Sequence, residues 1–78
     1  MVPKAKNVYA KENYTLLIEF DNGEKKIFDV KPYLEYKAFE ELRDINVFNS
    51  VKISGLSVGW INGADICPDE LYNNSITQ

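Results

Sequence analysis

Histidine is absent from this 78-residue sequence, and cysteine occurs once, at Cys67. Without histidine the commonest general base, the commonest zinc ligand and the usual activator of a nucleophile are all missing. One thiol makes neither an intrachain disulfide nor a structural zinc site. The four glycines are scattered, so no phosphate-cradling loop is present. No segment approaches the ~20 consecutive apolar residues that span a bilayer. The opening Met1-Val2-Pro3-Lys4-Ala5-Lys6 has no apolar run behind it, so no signal peptide is expected. These absences point to a cytoplasmic protein with no membrane contact, no cofactor and no catalytic site of its own.

Basic residues are also missing from one part of the chain. Residues 1–52 hold all nine lysines and arginines and nine of the twelve acids, whereas residues 53–78 carry only Asp65, Asp69 and Glu70. The last third is thus purely acidic. Nucleic-acid binding calls for a basic face that neutralises phosphates. Lys4, Lys6, Lys11, Lys25 and Lys26 have acids interleaved among them, so direct binding to DNA or RNA is disfavoured.

What is present suffices for one domain, residues 1–78, with one core. A chain of 45% hydrophobic and 13% aromatic residues is too apolar for intrinsic disorder. At this size folding buries only about 60–65% of the surface, and a second chain would add stability.

The pattern reads as α+β: a small antiparallel sheet of about five short strands, one helix between strands three and four, and a short carboxyl-terminal helical turn. Val8 to Ala10 suggests the first strand. Tyr14, Leu16, Ile18 and Phe20 alternate with Thr15, Leu17 and Glu19, which predicts a strand with those four on one buried face. Leu17 breaks the polar side, so that side is expected to be partly covered as well. Asp21-Asn22-Gly23 predicts a hairpin turn, returning through Glu24 to Val30. Pro32 ends that strand. Lys37 to Asp44 then predicts a helix with Phe39 and Leu42 inward, followed by a connection, Ile45 to Ser50, whose Val47 and Phe48 plug the core. Val51 to Ile53, Ser57 to Ile61 and Ala64 to Ile66 read as strands. Gly55 marks a turn or bulge, and Asn62-Gly63 a second hairpin with Gly63 at positive φ. Pro68 suits the first position of a helical turn, Asp69 to Tyr72, whose Asp69 and Glu70 complement its dipole.

Three groups of residues invite a chemical reading. Cys67 stands before a helix, where the dipole lowers a thiol pKa; the plainer reading is a small residue preceding Pro68. Asp65, Asp69 and Glu70 are oxygen ligands for a hard cation, or simply partners for a helix end; the latter is preferred, and no metal site is expected. Asp29 and Asp65 are a candidate carboxylate pair for acid/base work, or two turn residues accepting backbone hydrogen bonds. The surplus of aromatics stands out more: Trp60 with Tyr9, Tyr14, Tyr33, Tyr36 and Tyr72. Tyrosine and tryptophan are favoured at protein interfaces.

Three motifs carry a resemblance. Phe20-Asp21-Asn22-Gly23, then Phe39-x-x-Leu42-Arg43-Asp44-x-x-x-Phe48, then Trp60-x-Asn62-Gly63-Ala64-Asp65-x-x-Pro68-x-x-Leu71-Tyr72 resemble domain-of-unknown-function family 2442, a family of small bacterial proteins. The match runs from about Val8 to Tyr72; Ile61 stands where proline is common in the family. The resemblance implies a compact α+β domain. It also implies two settings: stand-alone chains, some similar to members of toxin–antitoxin pairs, and amino-terminal parts of proteins bearing a DNA-binding helix-turn-helix. This chain ends at Gln78, so no such appendage is expected. No catalytic residues are implied.

The functional expectation is a protein-interaction module, the antitoxin-like or accessory half of a two-protein system. Its partner would be a neighbouring-gene product or a second copy forming a homodimer. Tyr33, Tyr36, Trp60, Asp65, Asp69 and Tyr72 are the candidate interaction or motif residues. The alternative is a ligand- or metal-sensing domain using Asp65, Asp69 and Glu70; a small hydrolase or isomerase acting through carboxylates or Cys67 ranks last.

Overall fold

Two turns of one sequence type, aromatic-x-Asn-Gly, are built alike. In a computed structural model that describes residues 2–78, the Phe20 N–H donates to the Glu24 carbonyl at 2.8 Å and the Gly23 N–H to the Phe20 carbonyl at 3.0 Å. The corresponding bonds of the second turn, Trp60 to Ala64 and Gly63 to Trp60, are 2.8 and 3.0 Å. In each, the asparagine Oδ1 accepts the N–H two residues on, from Glu24 at 3.0 Å and Ala64 at 3.1 Å. Gly23 and Gly63 both hold φ of 92°. Positive φ falls on the glycine alone, so each is a three-residue loop closed by a left-handed glycine rather than a two-residue turn with both central residues left-handed.

Each turn closes a hairpin of a different sheet. Strands β1 (Ala5–Lys11), β2 (Thr15–Phe20), β3 (Lys25–Asp29) and β7 (Ile76–Thr77) form one antiparallel sheet in the order β1-β2-β3-β7. Strands β4 (Lys52–Ser54), β5 (Ser57–Gly59) and β6 (Asp65–Ile66) form a second, ordered β4-β5-β6. The expected single sheet of about five strands is therefore two sheets with seven strands. The division falls between β3 and β4, where the chain runs through Lys31–Glu35, Lys37–Arg43 and Ile45–Phe48, all helical, instead of turning straight back. Gly55, at φ 60°, makes the tight turn between β4 and β5 of the second sheet. The sheets meet where the Ala5 N–H donates to the Leu56 carbonyl at 3.1 Å.

Leu16, Ile18 and Phe20 of β2 are 0, 0 and 2% exposed, which places one face of β2 in the core as alternation requires. Each contributes roughly 1.5–3 kcal/mol by burial. Tyr14 departs from expectation: it ends a 3₁₀ turn, Glu12–Tyr14, at φ 58°, and β2 starts one residue later. Its half-buried ring still reaches the core, edge-on to Phe48 at 5.1 Å.

The expected helix at 37–44 is a 3₁₀ helix, Lys37–Arg43, preceded by a second 3₁₀ segment, Lys31–Glu35. The bonds are of i+3 to i type: Tyr33 to Val30 at 2.8 Å, Tyr36 to Tyr33 at 3.0 Å, Phe39 to Tyr36 at 2.9 Å and Asp44 to Glu41 at 3.1 Å. The connection expected over 45–50 contains a helical turn, α1 (Ile45–Phe48), capped by Asp44, whose Oδ1 accepts from the Asn46 N–H at 2.9 Å. Phe48 is fully buried, with Val47 packed beside the core. Helix α2 (Pro68–Asn74) begins at its proline and runs two residues past the expected turn, burying Leu71. Strand β7, unforeseen in the sequence, then pairs Ile76 with Ile27. Among the described residues no helix is long and apolar enough to cross a membrane.

Candidate binding cleft

The 3₁₀ segment Lys31–Glu35 and helix α2 leave a cleft of about 450 Å³ between them, lined by Phe28, Asp29, Pro32, Tyr33, Tyr36, Glu70 and Asn74. Pro32 fixes the start of the 3₁₀ segment, where its missing N–H costs nothing because a first-turn N–H has no partner within the helix. The tight 3₁₀ rise sets Tyr33 and Tyr36 on one side, three residues apart, with ring centroids 6.3 Å apart and edge-to-face. Tyr36 is 62% exposed.

Tyr33 anchors the cleft to the interior. Its ring packs on Phe28 at 5.3 Å and edge-on to Phe39 at 5.7 Å, and Phe39 in turn meets Trp60. Its hydroxyl donates to Glu70 Oε2 at 2.7 Å and accepts from Asn74 Nδ2 at 3.2 Å. Burial pushes the Tyr33 phenol pKa up, the bond to Glu70 adds to this, and the Asn74 donor opposes it. Asp29 lies at the rim, accepting the Lys31 N–H at 2.9 Å, with the Lys31 ammonium 3.1 Å from the same oxygen. The lining thus offers two aromatic faces and two carboxylates, one of them shared with Lys31.

The other sequence-derived candidates have different placements. Trp60, expected among the interface aromatics, is 2% exposed and donates its indole N–H to the Phe48 carbonyl at 3.0 Å; it is a core residue. Tyr72 is half-buried and held from three sides. It packs edge-on to Phe20 at 5.1 Å, its hydroxyl donates to Glu24, and the Lys26 ammonium lies 3.8 Å from its ring centroid. That ammonium also donates to the Tyr72 carbonyl at 3.1 Å, placing a cation near the end of α2 where the dipole favours one. Asp65 is exposed in β6, and Asp69 is exposed in the first turn of α2 beside Glu70. Among the described residues no three of histidine, cysteine, aspartate and glutamate are gathered closely enough to hold a metal ion, so Asp65, Asp69 and Glu70 do not form a ligand set. Asp29 and Asp65 lie in different sheets. Cys67 is exposed and precedes α2 without capping it.

The sequence reading found Tyr33 and Tyr36 but took Glu70 for a metal ligand or dipole partner, and it passed over Asn74. The spacing from Pro68 held a usable signal. Glu70 and Asn74 are four apart on a helix, hence on one face; only the packing of α2 reveals that this face meets Tyr33.

The family described as "Protein of unknown function (DUF2442)" matches residues 5–77. The chain belongs to this family. The match takes in every element from β1 to β7, including both aromatic-x-Asn-Gly turns and the cleft. No curated protein and no solved structure matches the chain.

Proposed function

We propose that this DUF2442 chain is a protein-interaction module that receives a basic side chain of another polypeptide in the cleft at Tyr33 and Tyr36. One observation carries the reading: aromatic faces and the Glu70 carboxylate converge on an open cleft of about 450 Å³. A lysine or arginine head is attracted both to ring faces and to carboxylates, and each attraction strengthens as water is excluded. Tyr36 is the exposed face available for stacking, and Tyr33 is the fixed wall behind it. The acidic last third extends the same preference, since a partner steered by charge would present a basic surface. A product of a neighbouring gene, the pairing that the toxin–antitoxin resemblance suggests, is the first partner to try. Binding rather than catalysis is the proposed role.

The test is a titration of the isotopically labelled chain with a short lysine- and arginine-rich peptide, followed residue by residue by NMR. Shifts clustered on Tyr33, Tyr36, Glu70 and Asn74 are expected. They should be lost in Tyr36→Ala and Glu70→Gln and absent with an uncharged peptide of the same length. Shifts spread evenly over the acidic surface, or none at all, would refute the reading.

A further inference from the structure

The four-stranded sheet buries one face and leaves the other uncovered, and the uncovered face carries an apolar stripe. The register pairs Tyr9 with Leu17, Leu17 with Ile27, and Ile27 with Ile76. One cross-strand row therefore runs over β1, β2, β3 and β7, and all four of its side chains are large hydrophobes. Tyr9 is 45% and Ile76 72% exposed. Leu17 and Ile27 are half-buried, yet neither packs against the core. Their parity explains this, since they alternate with the buried Leu16, Ile18 and Phe28. A large aromatic or aliphatic residue at each step of an outward row is contrary to the usual polar outer face of an antiparallel sheet, and contiguous apolar surface of this kind marks interaction sites.

The rows on either side are polar and are arranged with a definite sense. Asn7, Glu19 and Lys25 form one; Lys11, Thr15 and Asp29 form the other. Consider a second copy laid face to face, related by a two-fold axis running along the stripe. Each stripe residue then meets its own equivalent, and the two flanking rows exchange places. Lys25 falls opposite the other copy's Asp29, Glu19 opposite Thr15, and Asn7 opposite Lys11. Opposite charges meet twice, and no like charges are opposed. The present ion pairs of Lys25 and Asp29 leave both side chains about half exposed: Lys25 to Glu19 at 3.7 Å and Lys31 to Asp29 at 3.1 Å. Such pairs contribute little and exchange readily.

We infer that the outer face of the four-stranded sheet is a self-association surface, on which a second copy of this chain packs with Tyr9, Leu17, Ile27 and Ile76 at its centre. A two-fold interface is built from one patch meeting itself, and this patch is self-complementary in both polarity and charge. The molecule measures 31 × 22 × 18 Å, so the face lies at the small end of interface sizes, where ~800 Å² per partner is standard. The dimer is therefore a weak, concentration-dependent one. It shares Asp29, at the cleft's rim, but not the aromatic rings or Glu70 of the cleft, and the stripe at its centre stands whether or not a basic peptide binds there.

Analytical ultracentrifugation of the purified chain over a concentration series up to about 1 mM tests this. A monomer–dimer equilibrium is expected, weakened about tenfold or more by Leu17→Thr with Ile27→Thr, substitutions that keep strand preference; far-ultraviolet circular dichroism checks that the variants fold. The charge pairing has a sharper test. Lys25→Asp alone and Asp29→Lys alone should each dimerise less than the parent chain, because each sets like charges opposite one another twice. An equimolar mixture of the two should associate more tightly than either alone, because both contacts are then of opposite sign. A chain monomeric throughout the series, or a dimer indifferent to the stripe substitutions and to mixing, would overturn the inference.

Discussion

The Tyr33 hydroxyl donates to the Glu70 carboxylate at 2.7 Å across 37 positions of sequence, tying the 3₁₀ segment after β3 to helix α2. With the Asn74 amide on the same hydroxyl, this bond joins the two walls of the cleft, and it adds to burial in shifting the ionisation of Tyr33. The folded state favours the neutral phenol, because burial and the Glu70 bond both raise the Tyr33 pKa above its ordinary 10.0. Stability from this source is fully present below that ordinary value and is lost as pH rises through the folded one. Tyr33 should therefore ionise late in an absorbance titration, as should Tyr72, whose bond to Glu24 raises it as well, and thermal stability should fall in the same alkaline range. Glu70→Gln should bring the Tyr33 titration earlier and leave that of Tyr72 in place, since the carboxylate's part of the Tyr33 shift is removed while burial remains.

Glu24 and Tyr72 form a corresponding pair, with Tyr72 two residues on from Glu70 in α2. The Tyr72 hydroxyl, first, and the Asn22 amide, second, hold the Glu24 carboxyl below its ordinary 4.5. A depressed carboxyl stabilises the fold above its unfolded pKa, and that contribution disappears as pH falls through the folded value. Tyr72→Phe should flatten the acid limb of melting temperature against pH. It should also raise the Glu24 pKa, which carbon-detected NMR titration reads directly.

Gly23 and Gly63 should behave alike under substitution, because their turns are the same structure. A Cβ at either position meets no atom within 4 Å, so the cost of a side chain is conformational. Gly63→Val and Gly23→Val should each destabilise by about 1–2 kcal/mol, lowering the melting temperature about 4–8 °C per kcal/mol in a domain of this size. Gly59 tests the opposite case. Its Cβ would lie 3.2 Å from the Ala64 carbonyl oxygen and 3.2 Å from the Ser54 Cβ, so Gly59→Ala should destabilise by crowding, without any strain in φ.

Trp60→Phe should cost about 1–3 kcal/mol in urea denaturation. The indole N–H to the Phe48 carbonyl is lost, and that oxygen keeps only the longer bond from the Val51 N–H at 3.3 Å. Phe48→Ala should cost more, about 3–5 kcal/mol, because Phe48 is fully buried between Tyr14 and Trp60.

Much of the local structure was legible because its causes are local. Alternation placed Leu16, Ile18 and Phe20 on one face, Asn-Gly marked both turns, and Pro68 marked the start of α2. The 3₁₀ segment Lys37–Arg43 reads in the sequence as an α-helix and Lys31–Glu35 as the mere end of a strand, although a signal lies in the chain. Val30, Tyr33, Tyr36, Phe39, Leu42, Ile45 and Phe48 recur every third residue, the period of a 3₁₀ helix rather than the 3.6 of an α-helix. Breaks at Tyr36 and Asp44, where the backbone is extended, divide that run into short pieces.

The sequence by itself determined the turns, the buried faces of the strands and the chemistry it lacks, histidine above all. Each of these depends on one residue's backbone preference, or on spacing within a few positions. Only the tertiary structure decided that the strands divide between two sheets, that Trp60 is core while Tyr36 is surface, and that Glu70 meets Tyr33. These depend on which distant segments share the core, because tyrosine and tryptophan, each an apolar ring with a polar handle, are found both in cores and at surfaces. Leu17 shows the boundary between the two kinds of information. Its position in the chain marked the second face of β2 as partly apolar, but only the pairing of β1, β3 and β7 beside it turned one leucine into a stripe across four strands.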